Sequence, residues 1–238
     1  MQLAEILASL FPDGHDITVD SGLLYGSGPL ADGHQALVVG VSNRTAVGIN
    51  EAASLSRHIL DDHLGAGPIL VIVDSDSQKM SKRDELLGLN EFLAHLAKTL
   101  IFADLHGRPT IGILYGHTAA GAFLATALAT RVLVALPGAE PAVMDLASMS
   151  KVTKLPIEVL QEKAKTTAIF APGLDNLAKT GAVHLIWDEA ESLAAQLKAL
   201  LRDLPGPNDK RDLLGVERHG RTKAAEIAER VYAIARES

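Results

Sequence analysis

Two hydrophobic rhythms take turns along this chain. Ile69-Leu-Val-Ile-Val73 and Val132-Leu-Val-Ala-Leu136 are unbroken apolar runs of strand length, the pattern of strands covered on both faces. Pro109 to Tyr115 reads as another strand. Between them the spacing changes to three and four. Leu55/Ile59 and Leu60/Leu64 mark a helix from Asn50 to Leu64, which Gly65-Ala-Gly67-Pro68 stops. Ser81 to Asp84 matches a capped helix start, and Leu86, Leu89, Leu93, Leu96 and Leu100 then follow helical spacing. An Ala-rich helix is expected from Thr118 to about Ala129.

Before this core, Ile17 to Leu24 and Gln35 to Val41 read as two strands, with turns at Gly26-Ser-Gly-Pro29 and Asp32-Gly33. After it, Met144 to Thr153 leads into a helix from Ile157 to about Lys165, and a short one from Leu174 to Lys179 ends at Gly181. A strand from Ala182 to Trp187 and a helix from Glu191 to Leu204 complete the alternation, which predicts an α/β fold. Pro205-Gly-Pro-Asn208 is the one strong linker. The expected organisation is one domain over residues 1–204 and an extension over 205–238. That extension would pack on the same domain or on a partner, its helix from Thr222 to Arg236 turning Ile227, Val231 and Ile234 inward.

Composition narrows the function. Of the 238 residues 47% are hydrophobic but only 4% aromatic, so stacking platforms for nucleic-acid bases are scarce. The net charge of −7 argues against broad binding to nucleic acid or an anionic membrane. No apolar run approaches the roughly 20 residues that cross a bilayer. The start, with Leu3, Ile6, Leu7 and Leu10 on one face and no basic residue, reads as a short helix rather than a signal peptide. With no cysteine there is no thiol nucleophile and no Cys zinc site, in keeping with a cytoplasmic protein.

Familiar chemical motifs fail. There is no Gly-x-Ser-x-Gly elbow, and Gly116 to Gly121 has the gap of a phosphate loop without its Lys and Ser/Thr. His58 and His63 are five apart, the wrong spacing for zinc on a helix. Lys79-Met80 lacks the first Met of a biotin attachment sequence. What survives is the small-residue stretch Ala119-Ala-Gly-Ala122 directly after a buried strand and the turn Gly116-His117. Such a stretch presents helix N-terminal N–H groups with no side chain in the way of a ligand carbonyl, which suits an oxyanion hole. It equally suits a helix packed tightly on its sheet.

Three segments together carry a resemblance: Val73-Asp-Ser-Asp-Ser-Gln78, Glu85-Leu-Leu-Gly88, and Arg108-Pro109 through Gly121-Ala-Phe-Leu-Ala125. They resemble the carboxyltransferase branch of the crotonase superfamily. Asp84 to Asn90, Ala94 to Lys98, Leu136-Pro-Gly-Ala139, Val143-Met144 and Lys151-Val-Thr-Lys154 are similar, more narrowly, to the gamma-subunit family of biotin-independent malonate decarboxylases. The resemblance implies a crotonase-like spiral of ββα units with a C-terminal helical extension. It also implies a homologous beta subunit sharing the active site, and a malonyl thioester on the phosphopantetheine-type arm of an acyl-carrier subunit. No cofactor would be bound covalently.

On this family pattern Gly121 supplies the oxyanion amide, flanked by Ala120 and Ala122. Asp76, Ser77 and Gln78 would form a loop facing the same pocket. Ser77 could bind the leaving carboxylate. His117 and Tyr115, beside Gly116, could bind the substrate carboxylate or protonate the enolate, although Tyr115 also fits the core. The family's Gly-Gly pair is Ala120-Gly121 here, and Leu124 stands where related hydratases place an acid, which disfavours hydration. Two alternatives stay open: a carboxyltransferase subunit of a biotin-dependent decarboxylase or carboxylase, and a non-catalytic scaffold subunit.

Overall fold

The computed structural model describes residues 1–62, 65, 67–167 and 172–237. His63 and Leu64, the second histidine of the expected pair and the expected end of its helix, lie outside them. Strands β1 (Thr18–Asp20), β2 (Leu23–Pro29) and β3 (Gln35–Val47) form an antiparallel rim. Against β3, strands β4 (Ile69–Gln78), β5 (Thr110–Leu114), β7 (Val132–Ala135) and β9 (Leu185–Ile186) add in parallel. The sheet order is β1-β2-β3-β4-β5-β7-β9, and β6 (His117–Ala119) and β8 (Glu140–Ala142) form a second, two-stranded parallel sheet.

The unbroken apolar runs sit in the middle, as expected. On β4 Ile69, Val71 and Val73 face the layer built with α2 (Ile49–Leu60), α4 (Leu89–Leu105) and α5 (Ala120–Ala125). Leu70 and Ile72 face the opposite layer with α1 (Leu3–Leu10) and α9 (Leu193–Arg202). Each fully buried aliphatic side chain there contributes about 1.5–3 kcal/mol, so both periods in the sequence reflect real burial. Two successive units, β5-β6-α5 and β7-β8-α6 (Leu146–Thr153), make the ββα repeat that the resemblance implies.

Several local expectations are corrected. Gly26-Ser-Gly-Pro29 is not a turn but the second half of β2, and the chain reverses at Ser21-Gly22. Glycine is needed at Gly28 because a Cβ there would collide with the Phe11 ring. The leucine run breaks at Gly88, φ +84, into α3 (Lys82–Leu86) and α4, and Leu86 is left exposed. Thr118 belongs to β6 rather than to the Ala-rich helix, which ends at Ala125 and is followed by one 3-10 turn, Ala127–Ala129.

The strand expected over 182–187 shrinks to Leu185–Ile186. The guanidinium of Arg218 explains this, because it claims the carbonyls of Ala178, Val183 and His184 at 2.7–2.9 Å. Past α7 (Ile157–Thr166) and α8 (Leu174–Lys179), an unforeseen helix α10 (Arg211–Glu217) packs down through Arg218 and through Arg211, which donates to Leu128 O at 2.8 Å. The terminal helix α11 (Ala224–Glu237) contains no buried residue. Ile227, Val231 and Ile234 are each about 60% exposed and do not turn inward.

Candidate active site

Strand β4 outruns its neighbour. Its pairing with β5 ends at Val73↔Leu114, while its pairing with β3 continues to Gln78. Asp76, Ser77 and Gln78 are therefore strand residues, not the loop expected. The edge beyond Val73 faces the β5–β6 junction and the start of α5, at the carboxyl ends of the parallel strands where α/β sheets place ligands.

Asp74 holds this junction. Its carboxylate accepts the N–H of His117 at 3.0 Å and that of Arg44 at 3.3 Å. Arg44 and Asn43 lie in a bulge of β3 with left-handed φ of 52° and 57°. A Cβ on Gly116 would run into the Asp74 carboxylate, so the close approach requires glycine there. The His117 ring is fixed by Nδ1 at 2.9 Å from Ser75 O. A carbonyl only accepts, so Nδ1 carries the hydrogen. Nε2 is then an acceptor when the ring is neutral and a donor when it is charged. Beneath the ring the buried Ser75 and Thr118 hydroxyls share a hydrogen bond of 2.7 Å.

Next comes the strand–helix transition. Ala120 takes φ +47°, a left-handed conformation that costs an ordinary residue about 1–2 kcal/mol. The strain falls at the position where the family pattern has its first glycine. Gly121, half-buried, donates its N–H to Gln78 Oε1 at 2.9 Å. A Cβ on Gly121 would stand 3.0 Å from Leu93 and 3.2 Å from that same oxygen.

Thus Ala120, Gly121, Gln78, Gly116 and His117 come together around one junction. The others lie at its margins. Ala122 is fully buried in the α2/α4 layer, and its side chain packs. Tyr115 packs against the α1/α9 layer, and burial, with the nearby Asp74 charge, raises its pKa well above the ordinary value, so it stays protonated. Ser77 donates to Gln78 O at 3.1 Å, and exposed Asp76 lies 4.0 Å from Arg44. Sequence reasoning missed Asp74, the lone acid directly after the apolar run of β4, as well as the Ser75–Thr118 pair. His58 stacks on Tyr25 with ring centroids 3.7 Å apart. Among the described residues no three His, Cys, Asp or Glu side chains are grouped to hold a metal ion, and no helix is long and apolar enough to cross a membrane.

The family model described as "Malonate decarboxylase gamma subunit" matches residues 42–235. The Malonomonas rubra malonyl-S-ACP:biotin-protein carboxyltransferase MADD is 32% identical over 167 residues, 65% of this chain, and the match spans 57% of that protein's length. The crystal structure of a Pseudomonas malonate decarboxylase hetero-tetramer in complex with coenzyme A is similar at TM-score 0.76 and 25% identity, covering 98% of this chain and 97% of that one. The Pseudomonas malonate decarboxylase MdcD-MdcE hetero-dimer is similar at TM-score 0.72 and 26% identity, covering 98% of each chain.

Proposed function

The chain belongs to the malonate decarboxylase gamma-subunit family, and from that premise we propose that it is half of a heteromeric decarboxylase. Its substrate is a malonyl group held as a thioester on the phosphopantetheine-type arm of an acyl-carrier subunit, in the cytoplasm. A homologous beta subunit completes the site. One observation carries the reading: the Gly121 amide aims at a carbonyl-type oxygen 2.9 Å away, supplied in this chain by Gln78.

In the reaction the bond between the carboxylate carbon and the malonyl methylene breaks. CO2 leaves, and the electron pair forms an enolate whose charge rests on the thioester oxygen. That oxygen takes the place of Gln78 Oε1 on the Gly121 N–H. An oxyanion donor at about 2.7–3.1 Å lowers such a barrier by roughly 3–4 kcal/mol. Charged His117 then delivers a proton from Nε2 to the methylene carbon, giving the acetyl thioester. Asp74, bound to the His117 N–H, keeps the ring's backbone in place. The segment 205–238 serves contacts with the partner more than the chemistry.

The name of the Malonomonas relative supports a second reading, in which the carboxyl group passes to biotin. Measuring CO2 release by the reconstituted complex separates the two. Release from malonyl carrier protein without biotin is expected; a requirement for a biotinyl protein would replace the decarboxylase with the carboxyltransferase.

A further inference from the structure

The Gly121 amide is already occupied by a side chain of this protein, and the two ends of that side chain are held very differently. Gln78 is the last residue of β4, paired with Val47 of β3, and the next amide, Lys79 N–H, donates to Val47 O at 2.9 Å. The backbone at Gln78 is therefore fixed on both sides. Its carboxamide is not. Oε1 accepts the Gly121 N–H at 2.9 Å, whereas Nε2 meets only the Met80 sulfur, at 3.9 Å, among the described residues. A thioether is a weak acceptor, so one good hydrogen bond holds the group and both Nε2 hydrogens stay nearly unused.

These two ends act in opposite senses on a thioester. To reach the Gly121 N–H, a carbonyl oxygen must displace Gln78 Oε1. Breaking that neutral hydrogen bond lowers the affinity for any thioester about three- to tenfold. A malonyl thioester offers compensation, because its carboxylate lies one methylene from the carbonyl. The displaced carboxamide, still tethered through β4, has two N–H donors and no acceptor for them. A hydrogen bond to a charged acceptor is stronger than the neutral one given up. The carboxamide itself is uncharged, so it does not lock the carboxylate into an ion pair before CO2 leaves. An acetyl thioester offers Nε2 nothing.

We propose that Gln78 is the residue that sorts substrate from product at this site. Its Oε1 competes with every thioester for the Gly121 amide, and its Nε2 compensates only one that carries a terminal carboxylate. After CO2 has left, Oε1 returns to the Gly121 N–H and displaces the acetyl thioester. The identity of substrate and product rests on the decarboxylase reading; the competition for the amide does not.

Calorimetric titration of the complex of this chain with its beta subunit tests it, using acetyl-pantetheine and sulfoacetyl-pantetheine as probes. The second carries a sulfonate in place of the carboxylate and cannot release CO2. The unaltered complex should bind the sulfonate probe about tenfold or more tightly than the acetyl probe. Gln78→Met keeps the length of the side chain and removes both hydrogen-bonding ends. It should bind the acetyl probe about three- to tenfold more tightly and lose at least that factor of the sulfonate preference. Gln78→Glu keeps an acceptor for the Gly121 N–H without a donor, so it should reject the sulfonate probe and gain nothing for the acetyl one. A Gln78 that merely props up the junction would weaken both probes in both variants. That result overturns the proposal, as does a preference unchanged in Gln78→Met, or an unaltered complex that shows none or binds neither probe. Loss of the decarboxylase reading would show separately, as no CO2 release from malonyl carrier protein while the sorting of probes persists.

Discussion

The β5–β6–α5 junction and the terminal helix α11 are built from similar residues and end in opposite states. Both are rich in alanine, and both carry an apolar face. At the junction each contact is closed within the chain: His117 and Arg44 on Asp74, Ser75 on Thr118, Gly121 on Gln78. Along α11 no residue is buried, and Ile227, Val231, Tyr232 and Ile234 stay exposed. Periodicity states which side chains favour burial. It does not state against what. The preceding helix α10 belongs with the closed region, because Arg211 and Arg218 tie it to backbone carbonyls.

The contrast can be broken most strongly at Gly121. Gly121→Val should lower turnover of the reconstituted complex by about 10²-fold or more while leaving assembly intact on gel filtration. Unchanged turnover would move the junction into the same class as a packing surface and favour a scaffold role.

A second effect tests how closed α10 is. His184 accepts the Leu133 N–H on Nδ1 at 3.2 Å, and its pKa is lowered from 6.5 to about 4, by burial first and then by the Arg211 charge. The unfolded chain therefore binds a proton that the folded chain refuses between these values. Stability is fully present above about 6.5 and falls as pH drops toward 4. Urea midpoints followed over this window should show the slope, and His184→Asn should flatten it. An unaltered slope in the variant would mean that other groups set it.

Asp74→Ala probes the closed junction itself. It strips an acceptor from the His117 and Arg44 N–H groups, and each such loss costs about 1–3 kcal/mol when the donor stays buried. Urea unfolding should register a loss in that range; water reaching both donors would make it smaller. The smallest effect belongs to α11. Ile227→Asp with Val231→Asp should change the stability of the isolated chain by about 0.5 kcal/mol or less, as surface substitutions do. The same pair should weaken binding to the beta subunit in pull-down titrations. Unchanged binding would show that this face is solvated in the assembly as well.

Much of the fold was legible because it depends on neighbours in sequence. The runs at 69–73 and 132–136 became central strands, Ser81 caps its helix by accepting the Asp84 N–H, and the helix from Leu174 to Lys179 has the bounds expected. What was misread depends on distant contacts. A glycine pair reads alike whether it makes a turn or admits a ring, and only Phe11 distinguishes them at Gly28. Arg218 reaches 34 residues back to capture the carbonyl of His184, which no local pattern announces. At the site, Gly121 and His117 stood out through the resemblance. Asp74 did not, because its partners lie 30 residues before it and 43 after it.

The order of the large sheet carries one more consequence, for the chain as it is being made. Each strand of that sheet docks on the outer edge left by the one before, and none is threaded between two that already pair. A nascent chain can thus grow its sheet in the order in which residues emerge, N-terminal part first. The groups gathered around the junction fall between Arg44 and Gly121, so their frame can close when about half of the 238 residues have been synthesised. Arg218 and α11 emerge after it. The surface left open along α11 thus appears after that frame, and association through it would be held back until the junction stands.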